Sequence, residues 1–260
     1  MDNLQRLFEK LYKRERIFGY SAYIPDVYTI AEYMPKGVDY ILFDCEHGPH
    51  DIEYYSDYFT LCRMMDIPTV VRIPDAVYHL AARAIDCGAD GVLVPRVETL
   101  DQVEAVIEGL RMPPLGRKGY GGKFLMRSGE SIEEFNKNRM LWIQIESRKG
   151  SDALPEILDR YGDQISACVI GPCDLSISTS KASEFRADAV RALDEKNAAD
   201  VLAKTAELCK QHGISYGSYC FDVADAIHCI EQGMNLTWVS CDANFMLQGI
   251  QEAAKRIEEL

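Results

Sequence analysis

Short apolar runs alternate with amphipathic stretches along the whole chain. The runs at 18–23, 40–43, 69–72, 91–94, 141–145, 167–170, 215–218 and 237–240 predict eight strands. Tyr40-Ile-Leu-Phe43 and Gly91-Val-Leu-Val94 are nearly continuous in apolar or β-branched residues, the pattern of strands buried on both faces of a parallel sheet. Between the runs the spacing is helical. The stretch 77–86 stops at Cys87-Gly88, where the glycine suits a helix C-cap. The stretch 99–110 opens on Thr99 as an N-cap and carries Val103, Val106, Ile107 and Leu110 on one face. Two more, 199–212 and 223–232, stop at Gly213 and Gly233. Eight strands alternating with helices in 260 residues predict one domain over 1–260, a (β/α)8 TIM barrel. The rival is a doubly wound open sheet, which often carries a Gly-rich turn after its first strand; none follows 18–23. Two regions break the rhythm: 113–131 is Gly-rich and basic, and 179–197 is polar.

Composition narrows the function classes. The chain is 47% hydrophobic and 27% charged, enough to bury a sizeable core. Lys and Arg number 28 against 41 Asp and Glu, a net charge of −13, so the basic footprint of a nucleic-acid binder is missing. The nine cysteines stand singly, with no CxxC, and predict unpaired thiols in a reduced, cytoplasmic protein. The opening 1–16 reads as a charged amphipathic helix without a signal core, and no run approaches the ~18 apolar residues that cross a bilayer.

In a barrel, chemistry belongs to the C-terminal strand ends. Asp44-Cys-Glu-His47 follows the second strand, Arg72 ends the third, Gln144 and Glu146 end the fifth, Asp174 follows the sixth, and Ser240-Cys-Asp242 ends the eighth. Residues i and i+2 of a strand share a face, so Gln144 and Glu146 point the same way and can meet Asp174 at one rim. Two carboxylates there suit a hard divalent cation with positions left for substrate oxygens; a structural pair bonded to arginine or backbone is the bland alternative. Arg72 reads as a carboxylate anchor or as a buried ion-pair partner of Asp44, Glu46 or Glu146. His47 is a candidate proton acceptor. Together these make a cradle for a 2-oxo acid. No strand end carries the lysine that a Schiff base needs. Cys45, Cys173 and Cys241 read as packing residues, since nothing sets a base beside them. Gly116-Arg-Lys-Gly-Tyr-Gly-Gly122 reads as an anion loop, with Arg117 and Lys118 as its cations, or as a plain surface loop.

At these residues the chain resembles the HpcH/HpaI family of metal-dependent pyruvate aldolases. The likeness runs from about residue 19 to 257 and is carried by six motifs in order. They are Phe43-Asp-Cys-Glu-His-Gly-Pro49, Val70-Val-Arg-Ile-Pro74, the stretch from Ile85-Asp-Cys-Gly88 to Val94-Pro95, Pro113-Pro-Leu-Gly-Arg-Lys-Gly-Tyr-Gly121, Gln144-Ile-Glu146 and Ile170-Gly-Pro-Cys-Asp-Leu-Ser176. The resemblance implies a TIM barrel, often a hexamer whose last helix packs against a neighbour. It implies reversible aldol cleavage of a 4-hydroxy-2-oxo acid to pyruvate and an aldehyde through a metal-stabilised enolate. Carried over, Glu146 and Asp174 bind Mg²⁺, Mn²⁺ or Co²⁺, and Arg72 and Gln144 contact pyruvate. Backbone N–H groups around Gly171, Pro172 and Cys173 hold its carboxylate, and His47, assisted by Asp86, moves a proton. Asp86 closes a helix, where the dipole disfavours a carboxylate, which suits a functional partner, with simple solvation as the alternative.

The sequence departs from the family at Cys45, Cys173, Thr179-Ser180 and Ser240-Cys241, and its seventh strand, Ser215-Tyr-Gly-Ser-Tyr219, is bulkier. The same enolate chemistry would serve an oxaloacetate decarboxylase or a CoA-ester lyase; the acidic charge and short chain weigh against a nucleotide groove. A barrel that binds a small carboxylate without catalysis is the third reading.

Overall fold

Eight parallel strands close on themselves in sequence order: β1 (Ile17–Ser21), β2 (Tyr40–Asp44), β3 (Thr69–Arg72), β4 (Gly91–Val94), β5 (Met140–Ile145), β6 (Ala167–Ile170), β7 (Ser215–Cys220) and β8 (Leu236–Cys241). The computed structural model describes residues 2–24, 26, 30, 37–122, 125–180 and 195–259. Around the barrel run α2 (Ser56–Met64, entered through a 3₁₀ turn at Ile52–Tyr55), α3 (Tyr78–Asp86), α4 (Leu100–Leu110), α5 (Ile132–Lys137), α6 (Arg148–Tyr161), α7 (Pro172–Thr179), α8 (Glu195–Gln211), α9 (Val223–Glu231) and α10 (Asp242–Glu258). The first helix, α1 (Asn3–Lys13), precedes β1.

All eight expected strands are present, so the expected TIM barrel is the fold. Three strands have the expected bounds, and β1 stops two residues early. Beyond Ser21 the N–H groups of Tyr23 and Ile24 donate to the Asp242 carboxylate at 2.8 and 3.1 Å instead of extending the ladder. Helix α6 was not foreseen, because Pro155 sits inside it. Nor was α7, whose Pro172 occupies the first turn, where its missing N–H costs nothing. Most of the polar stretch expected at 179–197 lies outside the described residues.

Alternate residues of each strand fill the lumen. Tyr40, Leu42, Val70, Leu93, Met140, Trp142, Val169, Leu236 and Trp238 form one buried cluster, and Leu4, Leu7 and Leu11 of α1 join it. These leucines recur at helical spacing on one face of α1, whose start is fixed by an Asp2–Gln5 capping box. Polar ties hold the helix across the barrel's N-terminal end: Ser215 Oγ donates to the Leu11 carbonyl at 2.8 Å and Asn235 Nδ2 to the Glu15 carbonyl at 3.1 Å. That end of the lumen is therefore stoppered with apolar side chains, while polar side chains gather at the C-terminal mouth.

The seam between β7 and β8 is tight. A Cβ on Gly217 would lie 1.9 Å from the Leu236 carbonyl oxygen, a backbone atom that cannot swing away. Gly217→Ala is expected to destabilise the barrel by about 1–3 kcal/mol or more, read as a lowered Tm in thermal unfolding; an unchanged Tm would contradict the close seam.

Candidate active site

Six strands and the starts of two helices deliver polar side chains to the open mouth. A cavity of about 520 Å³ there is lined by residues that include Asp44, His47, Arg72, Gln144, Gly171 to Asp174, Tyr219 and Trp238. Asp44 and Arg72 are direct cross-strand partners in the β2–β3 ladder. Arg72 Nε donates to Asp44 Oδ1 at 2.8 Å, and its Nη2 donates to Oδ2, a bidentate clamp. Arg72 Nη1 lies 3.2 Å from Glu46 Oε2, which has no aligned hydrogen bond, so this contact is ionic attraction without a directed bond. Arg96 Nη2 reaches the other Glu46 oxygen at 3.4 Å, and His47 Nε2 stands 3.7 Å from Glu46.

The electrostatics divide this cluster. Burial alone would raise the Asp44 carboxyl, but the bonds and charge of Arg72 and the N–H groups of His47 and Glu46 overcome it and hold it below the usual carboxylate range. Burial raises the Glu46 carboxyl, against the opposing pull of Arg72, His47 and Arg96. Glu146 is the outlier. Burial, then the negative charges of Asp174 and Glu46, push its carboxyl up to about 8. Among the described residues no basic nitrogen lies within ion-pairing distance of Glu146 or Asp174.

Gly171 explains how Glu146 and Gln144 lie where they do. A Cβ there would stand 2.6 Å from Gln144 Nε2, Glu146 Cγ and Glu146 Oε1, so both side chains fold over the bare glycine. Both therefore point the same way, as their spacing requires. Gln144 Oε1 is buried without a hydrogen-bond partner. Asp174 stands in the first turn of α7, where unpaired N–H groups favour an anion. Glu146, Asp174 and the unpaired amide oxygen of Gln144 are all hard donors; among the described residues no third histidine, cysteine or carboxylate completes a closed cage. Such a set fits a divalent cation that keeps positions for other oxygens.

Several expected residues sit elsewhere or act differently. Pro172 has no N–H, and the Gly171 N–H donates to the Ile145 carbonyl at 3.3 Å. Free anion donors near them come instead from the first turn of α7, at Cys173 and Asp174. Asp86 closes α3 and so lies at the N-terminal rim, opposite His47; it accepts from Lys118 Nζ at 2.7 Å. Within one chain the two do not meet. The expected anion loop lies between α4 and β5, and thus also at that rim. Its cations are occupied, Arg117 by Glu108 at 2.7 Å and Lys118 by Asp86. The buried ion pair expected as one reading of Arg72 is present, made with Asp44 and, without a directed bond, with Glu46, both within the Phe43–Pro49 motif. Burial is the leading cause raising the thiols of Cys45, Cys173 and Cys241, which agrees with packing roles. Two rim residues, Arg96 and Ser240, hold left-handed backbone, φ 47° and 49°; such strain collects at functional sites.

The model of the HpcH/HpaI aldolase/citrate lyase family matches residues 25–248. The chain belongs to that family. By family it is a carbon–carbon lyase. HpcH/HpaI relatives include a hydroxypyruvate/pyruvate aldolase of Roseobacter denitrificans, 31% identical over 65% of this chain and 68% of that protein. Another is a 2-keto-3-deoxy-L-rhamnonate aldolase of Escherichia coli, 32% identical over 55% of each. The matched stretches thus span from a little over half to about two thirds of these relatives. A family structure from Burkholderia cenocepacia superimposes with a TM-score of 0.81 at 26% identity, covering 97% of this chain and 99% of that one.

A carboxyl raised in the folded chain keeps its proton after the unfolded chain has lost it. Metal-free protein should therefore lose stability as pH rises from 4.5 through about 8, the window set by Glu146. Thermal unfolding against pH checks this, with Glu146→Gln as the reference that lacks the titration. Mn²⁺ should raise the wild-type Tm more near about pH 8 than near about pH 6, since the ligand must be ionised. Parallel curves for the two proteins would contradict it.

Proposed function

We propose that this lyase cleaves a 4-hydroxy-2-oxo acid to pyruvate and an aldehyde, and runs the reverse addition. One observation carries the reading: the buried Glu146 beside Asp174, neither within ion-pairing distance of a basic nitrogen among the described residues and Glu146 raised despite the opposing charges of Arg72 and Arg96, with the unpaired Gln144 Oε1 and an arginine that keeps N–H groups for a substrate next to them. Glu146 and Asp174 are the residues that would hold Mg²⁺, Mn²⁺ or Co²⁺. When bound, the cation supplies a Lewis acid for the keto and carboxylate oxygens of pyruvate.

The chain's own groups do the rest. Asp44 fixes the guanidinium plane of Arg72, so Nη1 is presented to the oxygen on which negative charge grows as the enolate forms. Gln144 and the first-turn N–H groups of α7 orient the pyruvate carboxylate. His47, beside Glu46, takes the C4 hydroxyl proton as the C3–C4 electron pair moves into the enolate. The enolate then takes a proton at C3. Asp86 has no part in this within a single chain. Nine free cysteines suit a reduced, cytoplasmic setting, and no described helix is long and apolar enough to cross a membrane.

The reading includes self-association. No residue of α10 is buried, although Met246, Leu247, Ile250 and Ile257 repeat on one face at 51–70% exposure. An apolar helical stripe of this kind is built to be covered, and a second copy, up to a hexamer, is the occupant that family resemblance suggests. Sedimentation should find an oligomer that Ile250→Glu converts to smaller species; a wild-type monomer would end this part of the proposal.

The chemistry is tested by deuterium wash-in at pyruvate C3, followed by NMR. Exchange should require Mn²⁺ or Mg²⁺ and stop on chelation. Glu146→Gln should reduce it by about 10²-fold or more, the scale of lost charge stabilisation. Borohydride should trap no Schiff base. Binding of pyruvate without exchange would favour the non-catalytic reading, and exchange that survives full chelation would defeat the cation's role.

A further inference from the structure

The two sides of the cavity differ in kind. Charges line the β2–β6 side. The side formed by β1, β7 and β8 is aromatic: Tyr23, Tyr219, Phe221 and Trp238. Three of these rings stand edge to face in a row, Phe221 to Tyr219 at 5.1 Å between centroids and Tyr219 to Trp238 at 4.9 Å. The row ends at the charged side, where Arg72 Cζ lies 4.9 Å from the Trp238 ring centroid. Alternation along β7 puts Tyr219 and Phe221 on the same face, with Phe221 one step further out of the barrel. Trp238 is buried, while Tyr219 and Phe221 are half-buried and offer surface to the cavity.

The polar groups of this wall are largely engaged with one another, the Tyr219 hydroxyl with Ser240 among them. Trp238 Nε1–H donates to Ser21 Oγ, the Tyr23 hydroxyl to the His47 carbonyl at 2.8 Å, and Asn244 Nδ2 to Ser240 Oγ at 3.1 Å. Burial pushes the Tyr219 phenol up to about 12, so it stays neutral. The basic side chains lining the cavity, among the described residues, are Arg72 and His47, both on the charged side and both beside Glu46. An aldehyde with a terminal carboxylate or phosphate would meet no counter-ion among the described residues of the aromatic wall. A polyhydroxylated one would press hydroxyls against ring faces and lose their water. A flat ring gains edge and face contacts there, each beyond the plain effect of burial.

We propose, resting on the lyase reading above, that the aldehyde half of the substrate is an aryl aldehyde whose ring seats against Tyr219 and Phe221. The bond made or broken is then C3–C4 of a 4-aryl-4-hydroxy-2-oxo acid. In cleavage that bond breaks and its electron pair stays on the three-carbon half as pyruvate enolate. The C4 hydroxyl gives up its proton and becomes the aldehyde carbonyl, and C3 takes a proton to yield pyruvate. No oxidant or further reactant enters.

The test runs the addition with Mn²⁺-loaded protein and pyruvate, offering benzaldehyde or glycolaldehyde as acceptor. The wild type is expected to show the higher kcat/KM with benzaldehyde. Phe221→Ala should lower the benzaldehyde-to-glycolaldehyde ratio about tenfold, while Phe221→Tyr, which keeps the ring, should keep the ratio. If Phe221→Ala does not fold, Phe221→Leu fills most of the volume without a ring and should lower the ratio about threefold. Wild-type protein that exchanges pyruvate C3 protons yet takes glycolaldehyde at least as well overturns the aryl assignment and leaves the lyase reading standing. So does a ratio that Phe221→Ala, or Phe221→Leu in its place, fails to move. Wild-type protein that exchanges no C3 protons overturns both.

Discussion

Strand parity governs this molecule. Every second residue of a barrel strand must face the lumen, and the lumen has room only for packed layers. The lower layers are apolar and the leucines of α1 close them off. Polar chemistry is left to the last inward positions of the strands and the residues just past them. Arg72, Gln144, Tyr219 and Trp238 all occupy such positions. Glycine at 171, the corresponding place beyond β6, leaves the space over which Gln144 and Glu146 fold.

Within that ring of positions the charges are sorted rather than neutralised. Arg72 is held by Asp44 and attracted by Glu46, an arrangement that fixes the guanidinium plane. Breaking a buried pair of this kind leaves an uncompensated charge, at a typical cost of about 3–5 kcal/mol, so Asp44 is as much part of the site as the arginine it aims. The same barrel mouth leaves Glu146 and Asp174 side by side without a basic partner among the described residues. Burial and the neighbouring negative charges raise the Glu146 carboxyl there, and the charges of Arg72 and Arg96 oppose them only in part.

The strands were legible because burial on both faces leaves continuous apolar runs, as in Tyr40–Asp44 and Gly91–Val94. Gln144 and Glu146 were legible because period two is local. Distance in the chain left other points open. Asp44 was one of three partners open to Arg72, and the choice was made by ladder register across 28 residues, which spacing alone does not specify. Asp86 and the Gly116–Gly122 loop carry family-like motifs, yet their place in the order of elements, ahead of β4 and β5, assigns them to the opposite rim. A motif records residue types; the rim follows from whether the residue comes after a strand or before one. Helices α6 and α7 were obscured by prolines that the helices accommodate.

The aromatic side shows what the family pattern leaves free. Charge geometry on β2 to β6 constrains those strands at once, since Asp44, Arg72, Gln144, Glu146 and Asp174 depend on one another through contacts and field. Strands β7 and β8 carry no such interlock, and there the chain places Tyr219, Phe221 and Trp238. Large rings at the end of a barrel must touch one another to exclude water, and these do so edge to face. Their row meets Arg72 through the Trp238 face. The aromatic wall is therefore joined by ring contacts to the arginine of the charged side. A change in ring size at Trp238 would reach the guanidinium plane, whereas Phe221, two contacts away, can vary with little effect on it.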